Sequence, residues 1–321
     1  MRYFVTGGAG FIGSNYVSYL LQNVEQVTGV TIYDKFTYAA NPKNYEKFTD
    51  DPRLTIIKGD ICDSALLEKS MTKNDFVVHF AAESHVDRSI DDASAFIRTN
   101  VLGTHNVLEA CRKTEIKTMI HISTDEVYGS LLENSADETY PLKPNSPYAA
   151  SKAASDLLAR SYFITHGLDV RTTRCCNNYG KHQFPEKVIP VFIKMLNARK
   201  KIPIYGDGKN VREWIHVLDH CRRIQTVLEK GHPGEIYNIG SGTYFSNDDL
   251  ATQIIELMGL SEDLKSYVID RKGHDFRYSV NSSKIESLDF GQLIDFKNGL
   301  SETIDWYSTN SGWWEMQSEM N

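Results

Sequence analysis

The chain has 321 residues, 41% of them apolar and 24% charged, enough to bury one large or two intimate domains. A formal charge of −7 argues against a nucleic-acid partner, so any bound phosphate must be held by local geometry. Cys62, Cys111, Cys175, Cys176 and Cys221 form an odd set without a C-x-x-C pair, which points to a reducing cytoplasm rather than a disulfide framework or zinc site. No signal peptide and no membrane-spanning helix are expected.

Residues 2–6 read as a short buried strand, 12–22 as a helix, and 27–33 and 54–58 as further strands. Segments 75–80 and 117–123 are strands around a helix covering roughly 93–113. This rhythm predicts an α/β fold, a doubly wound parallel sheet of the Rossmann type. Ser146-Pro147 announces another helix, an N-cap followed by proline, which Gly167 should stop. Beyond a strand at 170–174, Pro185, Pro190 and Pro203 and the glycines at 206, 208, 240 and 242 break the chain into short elements. The expected division is a Rossmann domain over 1–175 and a smaller C-terminal α/β lobe over 176–321, with a gradual boundary and some segments returning to the first domain.

Gly7, Gly10 and Gly13 follow the first strand and open the first helix, where glycines let a backbone approach a pyrophosphate at a helix N-terminus. Asp34 ends the second strand about 20 residues later, placed to accept hydrogen bonds from ribose hydroxyls and to repel a 2′-phosphate. NAD is therefore favoured over NADP, with Lys35 partly offsetting the repulsion. Asp60 follows the third strand, at a position suited to contact adenine.

Tyr148 and Lys152 stand at i and i+4, on one helical face. A phenol with an ordinary pKa of about 10 acts as a base near neutrality only if positive charge stabilises its phenolate, and Lys152 with an oxidised nicotinamide would supply it. Thr124, Asp125 and Glu126 close the fifth strand at the carboxyl edge, where open α/β sheets bind ligands. Two adjacent carboxylates there suggest acid–base work. Taken singly, each of these features has an ordinary structural explanation. The adjacent Cys175 and Cys176 are expected to pack as small hydrophobes, and His79, His85, His105 and His121 lack metal-ligand spacing.

Several stretches in order, D-K-F-T-Y-A-A-N (34–41), A-A-E-S-H-V-D-R-S (81–89), S-T-D-E-V-Y-G (123–129), S-P-Y-A-A-S-K (146–152), N-N-Y-G (177–180), Q-F-P-E-K (183–187), G-D-G-K-N-V-R-E-W (206–214) and D-R-K-G-H-D (270–275), resemble the NAD-dependent dTDP-glucose 4,6-dehydratases of the extended short-chain dehydrogenase family. The resemblance runs along the whole chain to Trp313-Trp314. It implies that Tyr148 takes the proton of the sugar 4-hydroxyl while Thr124 orients that hydroxyl. Glu126 then removes the C5 proton and Asp125 protonates the departing 6-hydroxyl.

Cofactor contacts implied by the resemblance are Gly7, Gly10, Phe11, Ile12, Gly13, Asp34, Lys35, Thr37, Asp60, Ile61, Ala81, Ala82, Thr99, Tyr148, Lys152 and Asn178. Substrate contacts are Ser84, His85, Thr124, Asn177, Lys187, Val188, Pro203, Tyr205, Arg212, Asn247, Arg271 and His274. No metal is implied, and a homodimer is. Ala40, Lys181, His182 and Phe276 depart from the family pattern, as does the stretch 241–246, and they fall in or near the nucleotide-sugar lobe. The same dehydration on UDP-glucose is therefore the alternative substrate reading. A 4-epimerase or decarboxylase would share the glycines and the Tyr-x-x-x-Lys pair but is not expected to carry Asp125 beside Glu126. A non-catalytic NAD sensor would need neither.

Overall fold

A parallel sheet covered on both faces demands strands that are apolar or satisfied along their whole length. Gly29–Asp34, Thr118–Thr124 and Val170–Cys175 meet that demand, with every residue buried. The computed structural model describes residues 1–270, 273–288 and 291–313. Its first half runs β1 (Arg2–Thr6), α1 (Phe11–Asn23), β2 (Gly29–Asp34), β3 (Leu54–Lys58), α2 (Ser64–Met71), β4 (Phe76–His79), α3 (Val86–Asp91), α4 (Ser94–Phe96), α5 (Thr104–Lys113), β5 (Thr118–Thr124), α6 (Pro147–His166) and β6 (Val170–Cys175). The second half adds β7 (Asn177–Tyr179), α7 (Val188–Asn197), β8 (Ile202–Tyr205), β9 (Val211–His216), α8 (Val217–Lys230), β10 (Ile236–Ile239), β11 (Tyr244–Ser246), α9 (Asn247–Leu257), β12 (Lys265–Val268), α10 (Ser283–Glu286) and α11 (Phe296–Thr309).

Seven strands form one sheet in the order β10-β6-β5-β4-β1-β2-β3, with every neighbouring pair parallel. The fold is thus the doubly wound α/β type that the strand–helix rhythm predicts. Its last strand, β10, comes from the second half of the chain and pairs with β6. Two small sheets, β11-β9-β7 and β12-β8, pack with α7, α9 and α11 around a separate apolar cluster that includes Ile193, Trp214, Ile254 and Leu300. No helix among the described residues is long and apolar enough to cross a membrane.

The helix expected over 93–113 is interrupted. Residues Ile97–Gly103 form a π-helical stretch between α4 and α5. Such a stretch widens the turn and is frequent at functional sites. Here it buries Asn100, whose side chain accepts from Glu83 N at 2.8 Å and donates to Ser151 Oγ at 2.9 Å. The stretch therefore ties the loop after β4 to α6.

Helix α6 begins and ends as its sequence dictates. The Ser146 side chain accepts from Ala149 N at 3.1 Å, Pro147 occupies the first turn, and Gly167 closes the helix in the left-handed region at φ 68°. Its inner face is fixed by a buried ion pair. Arg174 Nε on β6 meets Asp156 Oδ2 at 2.9 Å, and His121 Nε2 on β5 meets Asp156 Oδ1 at 3.2 Å. Burial alone would raise Asp156, but the His121 hydrogen bond and the Arg174 charge hold it below the usual carboxylate range. Removing one partner strands the other charge out of water. Asp156→Ala is expected to lower the unfolding free energy by about 3–5 kcal/mol, measured by chemical denaturation.

Candidate active site

Thr6 ends β1, and the chain turns through Gly7 at φ 68°, a conformation that L side chains rarely adopt. A Cβ on Gly13 would stand 2.3 Å from Gly7 O, so α1 can pack against the turn only with glycine there. No side chain caps α1, and its first turn carries no acidic residue. Its leading N–H groups and positive dipole end are therefore suited to a pyrophosphate. Asp34 is buried at the end of β2, where its carboxylate accepts from Ala9 N at 2.9 Å and Phe36 N at 2.8 Å. Burial raises its pKa against those two bonds, and each oxygen keeps a lone pair for a ribose hydroxyl. Lys35 pairs with Asp60 at 2.9 Å, which commits its charge to that carboxylate rather than to a 2′-phosphate. These features fit a dinucleotide carrying free ribose hydroxyls.

One cleft runs from this turn to the end of β5. It is lined by Gly7, Gly10, Phe11, Ile12, Gly13, Asp34, Lys35, Thr37, Asp60, Ile61, Ala81, Ala82, Thr99 and Asn178, and by Thr124, Asp125, Glu126, Tyr148 and Lys152. Ser84, Asn177 and Lys187 line it as well. Among the described residues no group of His, Cys, Asp and Glu is placed to hold a metal ion.

At the end of β5 the backbone enters a tight turn, Asp125–Tyr128, capped by Thr124 Oγ1, which accepts from Glu126 N at 3.3 Å. The same hydroxyl donates to Asp125 Oδ1 at 3.2 Å. Burial, reinforced by the charge of Glu126, pushes Asp125 well above the usual carboxylate range. Glu126 is only partly buried. The two adjacent carboxyls thus sit in different environments, the kind of arrangement that can set an acid beside a base. Burial and then Glu126 also raise Tyr148, while a hydrogen bond with Thr124 lowers it. Lys152 Nζ donates to Ile122 O at 2.7 Å, and burial pulls its pKa down to about 8 against the attraction of Asp156.

Other positions lie apart from the cleft lining. Val188 opens α7, Pro203 and Tyr205 lie on β8, Arg212 on β9 and Asn247 at the start of α9. His274 pairs with Asp270 at 2.7 Å and lies edge-on to Tyr205, while Arg271 lies outside the described residues. His85 caps α3 and faces Glu186 at 3.8 Å. Arg212 spans to the chain's later segment, donating to Asp275 O at 2.9 Å and stacking on Tyr278 at 4.4 Å. Register connects this group to the cleft: β9 runs parallel to β7, with Asn177 opposite Trp214, two residues beyond Arg212.

Sequence reasoning passed over two neighbours of this site, Tyr278 and His220. Tyr278 donates to Asp275 Oδ2 at 2.7 Å and reaches Glu126 Oε2 at 3.5 Å. His220 lines the cleft and bonds Asn178 Oδ1 through Nδ1 at 2.9 Å. Asn178 in turn donates to Cys175 Sγ at 3.3 Å, so Cys175 and Cys176 are buried as expected yet also form cleft wall. The D-H dipeptide at 219–220 after a strand is the only local signal for His220, and none exists for Tyr278.

The family described as GDP-mannose 4,6 dehydratase matches residues 4–303. A dTDP-glucose 4,6-dehydratase of Streptomyces antibioticus is 50% identical over 320 residues, which cover 98% of this chain and 95% of that protein. The crystal structure of DesIV, a dTDP-glucose 4,6-dehydratase from Streptomyces venezuelae solved with NAD bound, superposes with a TM-score of 0.97 at 50% identity, covering 99% of this chain and 100% of that one. The UDP-glucose 4-epimerase of Thermotoga maritima shares the fold at a TM-score of 0.89 but only 27% identity, over 97% and 100% of the two chains. With half its residues shared with dTDP-glucose 4,6-dehydratases along nearly its whole length, the chain belongs to that family of NAD-dependent sugar-nucleotide dehydratases.

Proposed function

We propose that this protein is a dTDP-glucose 4,6-dehydratase that works with bound NAD and yields dTDP-4-keto-6-deoxyglucose. The observation that carries the reading is the buried Asp125 beside the more open Glu126 at the end of β5, next to Tyr148. NAD held by the Gly7–Gly13 turn and Asp34 would supply the hydride acceptor for C4 and the hydride donor for C6. The chain's own residues move the protons. Tyr148 accepts the proton of the 4-hydroxyl, which Thr124 orients, and the resulting ketone acidifies C5. Glu126 removes the C5 proton, and Asp125 delivers a proton to the departing 6-hydroxyl.

The cofactor is assigned to the turn at Gly7, Gly10 and Gly13, to Asp34 and to the cleft wall through Asn178. The substrate is assigned to Ser84, His85, Asn177, Lys187, Val188, Pro203, Tyr205, Arg212, Asn247 and His274, with the guanidinium of Arg212 suited to a pyrophosphate. The β9–β7 pairing supports this extension of the site beyond the cleft lining.

We further propose a homodimer formed through the helical segment 94–113 and α6. Leu157 and Ile164 are one heptad apart on α6 and about 60% exposed, and Ile97 and Leu102 are similarly bare on the π-helical stretch. A reducing cytoplasm suits the five free cysteines.

Purified protein given dTDP-glucose without added NAD is expected to release one water per sugar by mass spectrometry, with UDP-glucose as the comparison. In Asp125→Asn, water loss should fall by about 10²-fold or more while reduced cofactor still forms on mixing, seen by its fluorescence. Wild-type water loss in that variant would sink the acid assignment.

Lys152 offers a pH test with a defined sign. Between pH 8 and 10.5 the folded protein has released this proton and the unfolded chain has not, so stability rises with pH across that window. Relative to Lys152→Met, the wild type should gain up to about 3 kcal/mol from the lower to the upper end, read from paired denaturation curves.

Leu157→Glu combined with Ile164→Glu should convert the dimer to monomer in light scattering. An unchanged mass would exclude α6 as the interface.

A further inference from the structure

Glu126, the base assigned to C5, meets a buried side chain from a distant part of the chain. Tyr278 lies 152 residues later, with its hydroxyl 3.5 Å from Glu126 Oε2 and 2.7 Å from Asp275 Oδ2. Segment 275–280 is strapped to the chain just beyond the Asp125–Tyr128 turn: Leu131 N donates to Arg277 O at 2.9 Å, and Ala136 N to Ser279 O at 3.0 Å. The Arg212 guanidinium covers the Tyr278 ring at 4.4 Å. Backbone pairing and stacking thus fix the phenol, and only its O–H bond is left to turn.

A phenol carries one proton, and here two carboxyl oxygens compete for it. The lengths decide between them. At 2.7 Å the contact with Asp275 is a full charge-assisted hydrogen bond, whereas 3.5 Å lies beyond the usual range for an O–H donor. Asp275 is itself held on several sides. Asn145 Nδ2 donates to its other carboxyl oxygen at 2.6 Å, and Arg212 Nη2 and Asn210 Nδ2 donate to its backbone oxygen at 2.9 and 3.2 Å. Asp275 is 6% exposed and Tyr278 5%, so bulk water cannot replace either partner. Burial and then the charge of Glu126 raise Tyr278, which keeps it a phenol. With its proton given to Asp275, the Tyr278 oxygen turns its lone pairs toward Glu126.

We propose that Asp275 is a positioning residue that fixes the polarity of the Tyr278 hydroxyl, so that Glu126 faces an acceptor and can bond to Tyr278 only once it holds the C5 proton. The inference rests on the dehydratase reading above. In the step concerned, the C5–H bond breaks as a Glu126 O–H bond forms. The electron pair left at C5 becomes the C5–C6 double bond as the C6–O bond breaks. Before the step, a carboxylate oxygen meets a lone pair, which is unfavourable. After it, the carboxylic acid donates to that lone pair, and Glu126 is open enough to close the remaining distance. Hydrogen bonding to the neutral form of an acid favours that form, so the arrangement strengthens the base. A tyrosine free to donate from the same place would stabilise the carboxylate and weaken it.

That inversion gives a test that a merely structural contact would not pass. In Tyr278→Phe the acceptor is gone, and removal of the C5 proton is expected to slow about 10-fold. In Asp275→Ala the Tyr278 proton is released toward Glu126, and the same step should slow about 10²-fold. Combining the two removes the misdirected donor, so the double variant should be faster than Asp275→Ala and recover the rate of Tyr278→Phe. Stopped flow with NAD-loaded protein and dTDP-glucose carrying hydrogen or deuterium at C5 reads the step. Reduced cofactor should form at the wild-type rate in each variant and then decay more slowly, with an enlarged C5 isotope effect. A double variant no faster than Asp275→Ala overturns the proposal, as does wild-type decay in Tyr278→Phe. If Asp275→Ala does not fold, the pH profile of the decay in Tyr278→Phe decides alone. Loss of an acceptor moves the acidic limb to lower pH, and an unmoved limb or one at higher pH overturns the assigned polarity. Wild-type protein that releases no water from dTDP-glucose fails differently, since it removes the dehydratase reading itself.

Discussion

The ion pair between Arg174 and Asp156 is the constraint on which the geometry of the site depends. Tyr148, Lys152 and Asp156 follow one another at four-residue intervals, so one stripe of α6 carries the two side chains proposed for catalysis and their anchor. The anchor reaches every element that shapes the reaction edge. Asp156 binds Arg174 on β6 and His121 on β5, and Arg174 donates onward to the Tyr128 hydroxyl at 2.8 Å, in the turn that follows Glu126. Tyr128 in turn donates to Asn238 on β10 at 2.7 Å. A buried ion pair contributes little net stability because desolvation cancels much of the attraction. What it supplies here is one allowed position for α6 against β5, and hence for Tyr148 against Thr124.

The same burial sets conflicting demands on the chemistry. It pushes Asp125 toward the protonated form that the proposed acid needs, but it also raises Tyr148, which would have to give up its proton to serve as the proposed base. It lowers Lys152 to about 8, near the limit at which a lysine still carries charge at neutral pH. The protein alone is therefore biased toward a phenol at Tyr148. Positive charge from an oxidised nicotinamide would relieve that bias, so the base becomes competent when the cofactor is in the oxidised form that can accept hydride.

How much of this could be read from the sequence followed the distance between partners. The turn at Gly7–Gly13, the caps of α6 and the Thr124–Glu126 edge are each specified by a few adjacent residues, and they lie where the strand–helix pattern puts them. The π-helical stretch was not legible, because the apolar period of 93–113 reads through it, and the pull on Asn100 comes from Glu83 and Ser151. Tyr278 meets Glu126 from 152 residues away, and no local pattern encodes that. The return of β10 to the main sheet rests on four residues, too short a run to distinguish from a core turn. For the same reason the proposed substrate positions on β8, β9 and α9 came only from resemblance: each is an ordinary proline, tyrosine, arginine or asparagine in its own segment, and only β9 is paired with β7.

Contacts across the cleft explain why its cofactor side and its sugar side cannot be separated cleanly along the chain. The Tyr38 hydroxyl, in the loop after β2, donates to Glu186 Oε1 at 3.3 Å. Arg88 on α3 stacks on the Tyr38 ring at 3.9 Å and lies 3.6 Å from Glu186. Lys187 donates to Ser84 O at 2.8 Å. Three loops that would otherwise move independently are thereby knitted over the cleft. Such a cover would hinder an enzyme that must exchange its cofactor every cycle. It suits one whose hydride returns to the same sugar, because then only the nucleotide sugar and one water have to pass.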